Sequence, residues 1–242
     1  TNRFVWAPLR EDILADPDQL GPGCRYEPST NTYRFINANW LSQVAMAAVH
    51  RWFGVAGLEV LQTGLVGLVI ALIVLIARRR GVPWPMCAAG VLLAGLGMYE
   101  RFDLRPEVFG YVCLAGQWAL LTGRRLGTRQ VIALALLQVL AVNFHGYFLL
   151  GVALTGAVAA DRLIRWAWAR WTDPAEAGEA AGRLRWAGIA LAAVVAACLL
   201  NPWHVRGAVM PIRTVAFLQA HGIGGSIPET GGIHPWSTIG EF

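Results

Sequence analysis

Hydrophobic positions in this chain come as unbroken runs, not as one-sided stripes. Val55 to Ala77 is apolar except for Glu59, Gln62 and Thr63, and it exceeds the roughly twenty residues that a helix needs to cross a bilayer core. It stops at Arg78-Arg79-Arg80-Gly81. Pro83 and Pro85 suit the first turn of a second helix, where a missing N–H costs little, and that run reaches about Tyr99. Pro106 opens a third run ending at Thr122, ahead of Gly123-Arg124-Arg125. A fourth extends from Arg129 to Asn143, a fifth from Tyr147 to Ile164 and a sixth from Leu184 to Leu200, where Asn201-Pro202 stops it. The pattern predicts an all-α fold, a polytopic transmembrane helix bundle of about six spans. Asn37–Phe53 and Val205–Leu218 are mixed in character and predict helices lying along the membrane surface. Residues 1–54 are then an outer-face loop and interfacial helix, 55–200 the bundle, and 201–242 a second interfacial helix and the start of a loop. Opening at Thr1-Asn2-Arg3 and stopping at Gly240-Glu241-Phe242, the chain reads as a piece of a longer protein.

Composition agrees with a membrane protein: 56% of residues are hydrophobic and 14% charged, with mean hydropathy +0.48. The net charge of +5 comes entirely from arginine on the basic side. Most of these arginines sit in short clusters between apolar runs, which is the positive-inside pattern and not that of a nucleic-acid surface. Segments 78–84, 123–129 and 161–185 hold eleven arginines, whereas 100–105 and 143–146 hold two, Arg101 and Arg105. The first set is assigned to the cytoplasm. Arginine without lysine, among abundant Ala, Gly and Leu, reads as the bias of GC-rich bacterial coding, so the chain is expected in a bacterial inner (cytoplasmic) membrane as a multi-pass protein. Cys87, Cys113 and Cys198 lie inside apolar runs and read as small buried residues.

Candidate chemistry therefore collects at the outer face. Glu100-Arg101-Phe102-Asp103-Leu104-Arg105-Pro106-Glu107 places five ionisable groups between two apolar runs, and ionisable groups at such a position are functional candidates. They have two readings: ion pairs that satisfy a short loop, or a recognition site. Arginine binds two phosphate oxygens at once with its planar fork, and a carboxylate beside it can hold a divalent metal or act as a base. His145, two residues after Asn143, either fixes a tight turn by hydrogen bonding or serves as a ligand or proton-transfer group. His204 follows the Asn201-Pro202 stop, and Asp12, Asp16 and Asp18 lie in the long N-terminal stretch.

Four segments carry a resemblance. Asn39-Trp40-Leu41-Ser42-Gln43, Arg105-Pro106-Glu107-Val108-Phe109, Asn143-Phe144-His145-Gly146-Tyr147-Phe148 and Asn201-Pro202-Trp203 occur in this order. Together they resemble bacterial GT-C type glycosyltransferases, the group of dolichyl-phosphate-mannose–protein mannosyltransferases and aminoarabinose transferases. The resemblance implies transfer of a sugar from a polyprenyl-phosphate carrier at the outer face, with membrane lipids and a lipid-linked sugar donor as partners. It implies an acid in the first outer loop as base or metal ligand, for which Asp12, Asp16 and Asp18 are candidates by region and Asp103 a second carboxylate. Arg101 and Arg105 are expected to hold the donor phosphate, with His145 lining the same cavity. Glu100, Glu107, Asn143 and His204 complete the expected substrate-binding set. Two other classes stay open, a non-catalytic or degenerate membrane subunit and a transporter. A transporter would place its charges nearer the membrane midplane.

Overall fold

The structure is a computed structural model, and it describes residues 25–27, 32–34, 36–98, 104–123 and 125–220. Seven helices are described: α1 Trp40–Arg79, α2 Trp84–Met98, α3 Pro106–Leu121, α4 Thr128–Phe144, α5 Phe148–Thr172, α6 Pro174–Ala197 and α7 Val205–Ala220. The expected all-α class holds for all but two short strands, β1 Arg25–Glu27 and β2 Thr32–Arg34, which pair antiparallel with Tyr26 opposite Tyr33. The chain divides into two compact units. One comprises residues 37–208; the other comprises 1–36 with 209–242 and includes the strand pair.

Glycine punctuates α1. At Gly54 φ is 64° and ψ −154°, a region that is essentially glycine-only. The kink divides the mixed Trp40–Phe53 segment from the apolar Val55–Arg79 segment, at the position where the sequence changes character. No atom approaches the site where a Cβ would stand on Gly54, so backbone conformation, not crowding, calls for glycine here. Gly81 ends α1 with φ +83°. The Val82 N–H reaches Ala77 O at 3.1 Å and the Gly81 N–H reaches Arg78 O at 3.0 Å, the paired bonds of a Schellman cap. Arg78 reinforces the turn through Val82 O at 2.6 Å, its guanidinium lying 4.7 Å from the centre of the Trp84 ring.

Proline and aspartate start the later helices. Pro106 and Pro174 occupy the first turns of α3 and α6, and the Asp173 carboxylate caps α6 by accepting from the Ala175 N–H at 3.0 Å. The arginine-bearing segment from Arg165 to Arg183, between the fifth and sixth apolar runs, is helical on both sides of Asp173. Exposed i,i+4 ion pairs, Asp161 with Arg165 and Glu179 with Arg183, run along it.

In the 37–208 unit, α5 and α6 form the most extensive helix pair, α3 packs on α1 and α4, and α4 packs on α6. One core cluster joins Cys113, Ala141, Val142, Phe148 and Cys198. A second joins Leu121, Val131, Leu134, Ala190 and Val194. Cys87, Cys113 and Cys198 are buried free thiols. Two helices, α1 and Ala175–Ala197 of α6, are long and apolar enough to cross a membrane, and Trp84–Gly97 and Thr128–Phe144 are shorter apolar helices. Large apolar side chains stand open, Leu92 at 68%, Leu93 at 71% and Leu96 at 76%. Hydrocarbon satisfies such faces where water does not.

Candidate functional site

The start of α3, the α4–α5 turn and the α6–α7 turn supply the described polar groups of the site expected from the sequence. Arg105 precedes α3 with extended backbone, and Glu107 sits in the first turn, where a carboxylate is favoured by the helix dipole. One turn on, the Tyr111 hydroxyl donates to Glu107 Oε2 at 3.2 Å. The Tyr111 ring stacks on that of Tyr147, centroids 6.0 Å apart, and the His145 ring stands edge-on to Tyr147 at 4.3 Å. A Cβ on Gly110 would lie 3.7 Å from that of His145 and 4.0 Å from that of Tyr147, so the α4–α5 turn rests directly on the first turns of α3. His145 Nδ1 accepts the Tyr147 N–H at 3.2 Å, which assigns the ring proton of the neutral form to Nε2. Arg105, Glu107, Tyr111 and His145 are half-buried and Tyr147 is exposed. The cluster thus combines a carboxylate, an imidazole and two phenol rings at one end of an apolar bundle, and Arg105 stands two residues before Glu107 in the chain.

Asn143 has a different place. It is 5% exposed, and both its amide hydrogens and its oxygen find partners inside the chain. Its Oδ1 accepts from Trp40 Nε1 at 2.8 Å, and its Nδ2 donates to Val139 O at 2.7 Å and Leu200 O at 3.0 Å. One side chain thereby ties α1, α4 and the end of α6 together. Fully buried Ser42 places its hydroxyl 2.7 Å from Asn39 O and 3.2 Å from Phe144 O. The Asn-Trp-Leu-Ser-Gln and Asn-Phe-His-Gly segments therefore dock on each other. Asn201 closes the fourth segment within its own turn: Nδ2 donates to Cys198 O and His204 O, and Oδ1 accepts from the Trp203 N–H at 2.8 Å. A Cβ on Gly207 would collide with the Asn201 amide. His204 adopts a left-handed φ of 49°, and its Nδ1 lies 3.2 Å from Leu199 O in the same turn.

Of the expected site residues, the structure brings His145 to α3, beside the turn that holds Glu107 and follows Arg105. It commits the Asn143 amide to Trp40, Val139 and Leu200, and it sets His204 Nδ1 against Leu199 O in its own turn. Asp12, Asp16, Asp18, Glu100, Arg101 and Asp103 lie outside the described residues. Among the described residues no three His, Cys, Asp or Glu side chains converge as a metal site would require.

Sequence reading missed Tyr111 and Tyr147, although the i,i+4 spacing of Glu107 and Tyr111 carries a signal. It also missed a buried amide pair. Gln117 Nε2 donates to Gln138 Oε1 at 2.7 Å, and Gln138 Nε2 lies 3.1 Å from both Phe148 O and Cys198 Sγ. A Cβ on Gly151 would collide with both amide oxygens. No family model, curated protein or solved structure matches the chain, so the functional reading rests on these residues alone.

Proposed function

We propose that this chain is an integral membrane glycosyltransferase of the GT-C type, or a part of one, that takes a sugar from a polyprenyl-phosphate carrier at the outer face of the membrane. In this reading Val55–Arg79 of α1 and the helices α2 to α6 each cross the bilayer. The observation that carries the reading is the Glu107, Tyr111, His145, Tyr147 cluster at the arginine-poor end of the bundle, with Arg105 immediately before α3. Arginines gather around residues 123–129 and 162–185, and α3, about 24 Å long at 1.5 Å per residue, separates that region from Glu107. The positive-inside rule then puts the arginine-rich end in the cytoplasm.

The chemistry follows from the donor. A lipid-borne sugar phosphate reaches the site sideways from the bilayer, with its phosphate at headgroup level. Arg105 binds the phosphate oxygens and stabilises the charge that builds as the bond from sugar carbon to phosphate oxygen breaks. A carboxylate takes the acceptor's hydroxyl proton while the acceptor oxygen bonds the same carbon from the opposite side. Polyprenyl phosphate leaves with the bonding pair. Tyr111, Tyr147 and His145 offer ring faces and hydrogen-bonding groups for the sugar.

A second reading, a non-catalytic membrane subunit, has its own support. Every buried side-chain nitrogen and oxygen among the described residues has a partner within the chain, so the folded body needs no ligand to satisfy it. Transfer of a labelled sugar from polyprenyl-phosphate donors in reconstituted membranes separates the two. Arg105→Gln is expected to lower transfer by about a hundredfold or more. Transfer that survives both Arg105→Gln and His145→Gln at the wild-type rate removes the catalytic reading of this cluster.

A further inference from the structure

At the other end of the 37–208 unit the end of α3, the 123–127 connection, α5 and α6 enclose a groove of about 600 Å³. Arg125, Arg162 and Arg183 line it together with Trp186, and Glu179 is its one acidic lining residue. The Glu179 carboxylate is bound to Arg183 at 2.6 Å. Asp161 is adjacent to Arg162 in sequence, but its carboxylate is held by Arg165 at 2.9 Å. Both of those residues line a neighbouring groove instead. Among the described residues, neither Arg125 nor Arg162 has a side-chain hydrogen bond or ion pair. Two guanidinium groups from different elements thus face one cavity, with the nearby carboxylates committed elsewhere.

We propose that this groove binds the phosphate of an anionic membrane lipid. The shared chemistry is a phosphate mono- or diester anion, which two arginine forks grip through paired N–H···O bonds. The lipid source is favoured by the groove's surroundings. Trp186 lines it, with the Arg185 guanidinium 5.9 Å from the centre of its ring. Trp168 and Trp171 of α5 are 71% and 90% exposed, as indoles are at a headgroup boundary. Anionic lipids concentrate on the cytoplasmic leaflet, and basic pockets between helices on that side recognise their headgroups. The inference uses the membrane placement of the helices but no transfer chemistry, so its test needs no sugar donor.

The full chain in a neutral detergent is titrated with phosphatidylglycerol, phosphatidylcholine or inorganic phosphate, and its unfolding temperature is followed. Phosphatidylglycerol is expected to raise that temperature saturably and phosphatidylcholine to leave it nearly unchanged. In the Arg125→Gln/Arg162→Gln double variant the half-saturating lipid concentration should rise about tenfold or more. Arg125→Lys/Arg162→Lys should fall between the two, since charge is kept and the fork lost. Arg170→Gln, on α5 but off the groove, should bind as the wild type does. Equal responses to the two lipids, or an unaltered response in the double glutamine variant, would overturn the proposal. A response to inorganic phosphate as strong as that to phosphatidylglycerol would overturn the lipid source.

Discussion

Trp40 and Asn143, 103 residues apart in sequence, meet through a 2.8 Å hydrogen bond from the indole N–H to the amide oxygen. The bond joins the start of α1 to the end of α4, directly beside the turn that carries His145. Trp40→Phe keeps most of the ring but leaves the Asn143 oxygen without its donor, so a loss of about 1–3 kcal/mol is expected. Asn143→Leu removes three bonds at once and should cost more. Thermal unfolding of both single variants and the double variant checks this: the double should cost clearly less than the sum of the singles.

Gly54 gives the next expectation. Its φ and ψ lie where a Cβ is strained although no neighbour crowds it. Gly54→Ala should therefore cost about 1–3 kcal/mol or straighten α1. Gly81→Ala, at the α1 cap, should cost about 1–2 kcal/mol. Alanine at exposed Gly64, within the regular helix, should be neutral or stabilising. Comparing the three by chemical denaturation isolates backbone conformation as the cause.

Much of this order was legible in the residues. The change of character at Gly54, the reversal at Asn143 to Gly146 and the opening of α3 at Pro106 each follow from a local signal: glycine, a polar break or a proline. The helical state of Arg165 to Arg183 on both sides of Asp173 was not, because arginine and alanine favour helix as strongly as the apolar runs beside them. Hydropathy marks where a span ends, not where a helix does. The site divides the same way. Arg105, Glu107 and His145 stand out as polar groups at apolar boundaries, but nothing local says that Asn143 spends its amide on Trp40 and Leu200.

The Gln117–Gln138 pair shows why such contacts escape a linear reading. It depends on the rotational register of α3 against α4, which no sequence spacing fixes. Gln117→Leu alone strands the Gln138 oxygen in the interior and should cost about 1–3 kcal/mol. Gln117→Leu with Gln138→Leu removes both partners and should cost less than the two singles added together. Gly151→Ala should destabilise the wild type by forcing the amides apart, since its methyl would meet both oxygens. Unfolding midpoints of the four variants measure these terms.

Sidedness is testable in intact cells. Tyr147→Cys and Arg125→Cys put thiols at exposed positions at the two ends of the bundle, and labelling is scored above the parent protein's background. An impermeant maleimide should label Tyr147→Cys directly and Arg125→Cys only after permeabilisation. The reverse pattern would turn the proposed topology over.

The central claim is that the Arg105 end of the bundle receives a lipid-linked sugar phosphate, and donor binding measures it most directly. The full chain in detergent is titrated with a polyprenyl-phosphate-linked sugar, with free polyprenyl phosphate as competitor. The account predicts saturable, competable binding that Arg105→Gln weakens about tenfold or more and that Arg170→Gln leaves unchanged. Absence of saturable binding, or an Arg105→Gln affinity equal to that of the wild type, would contradict it.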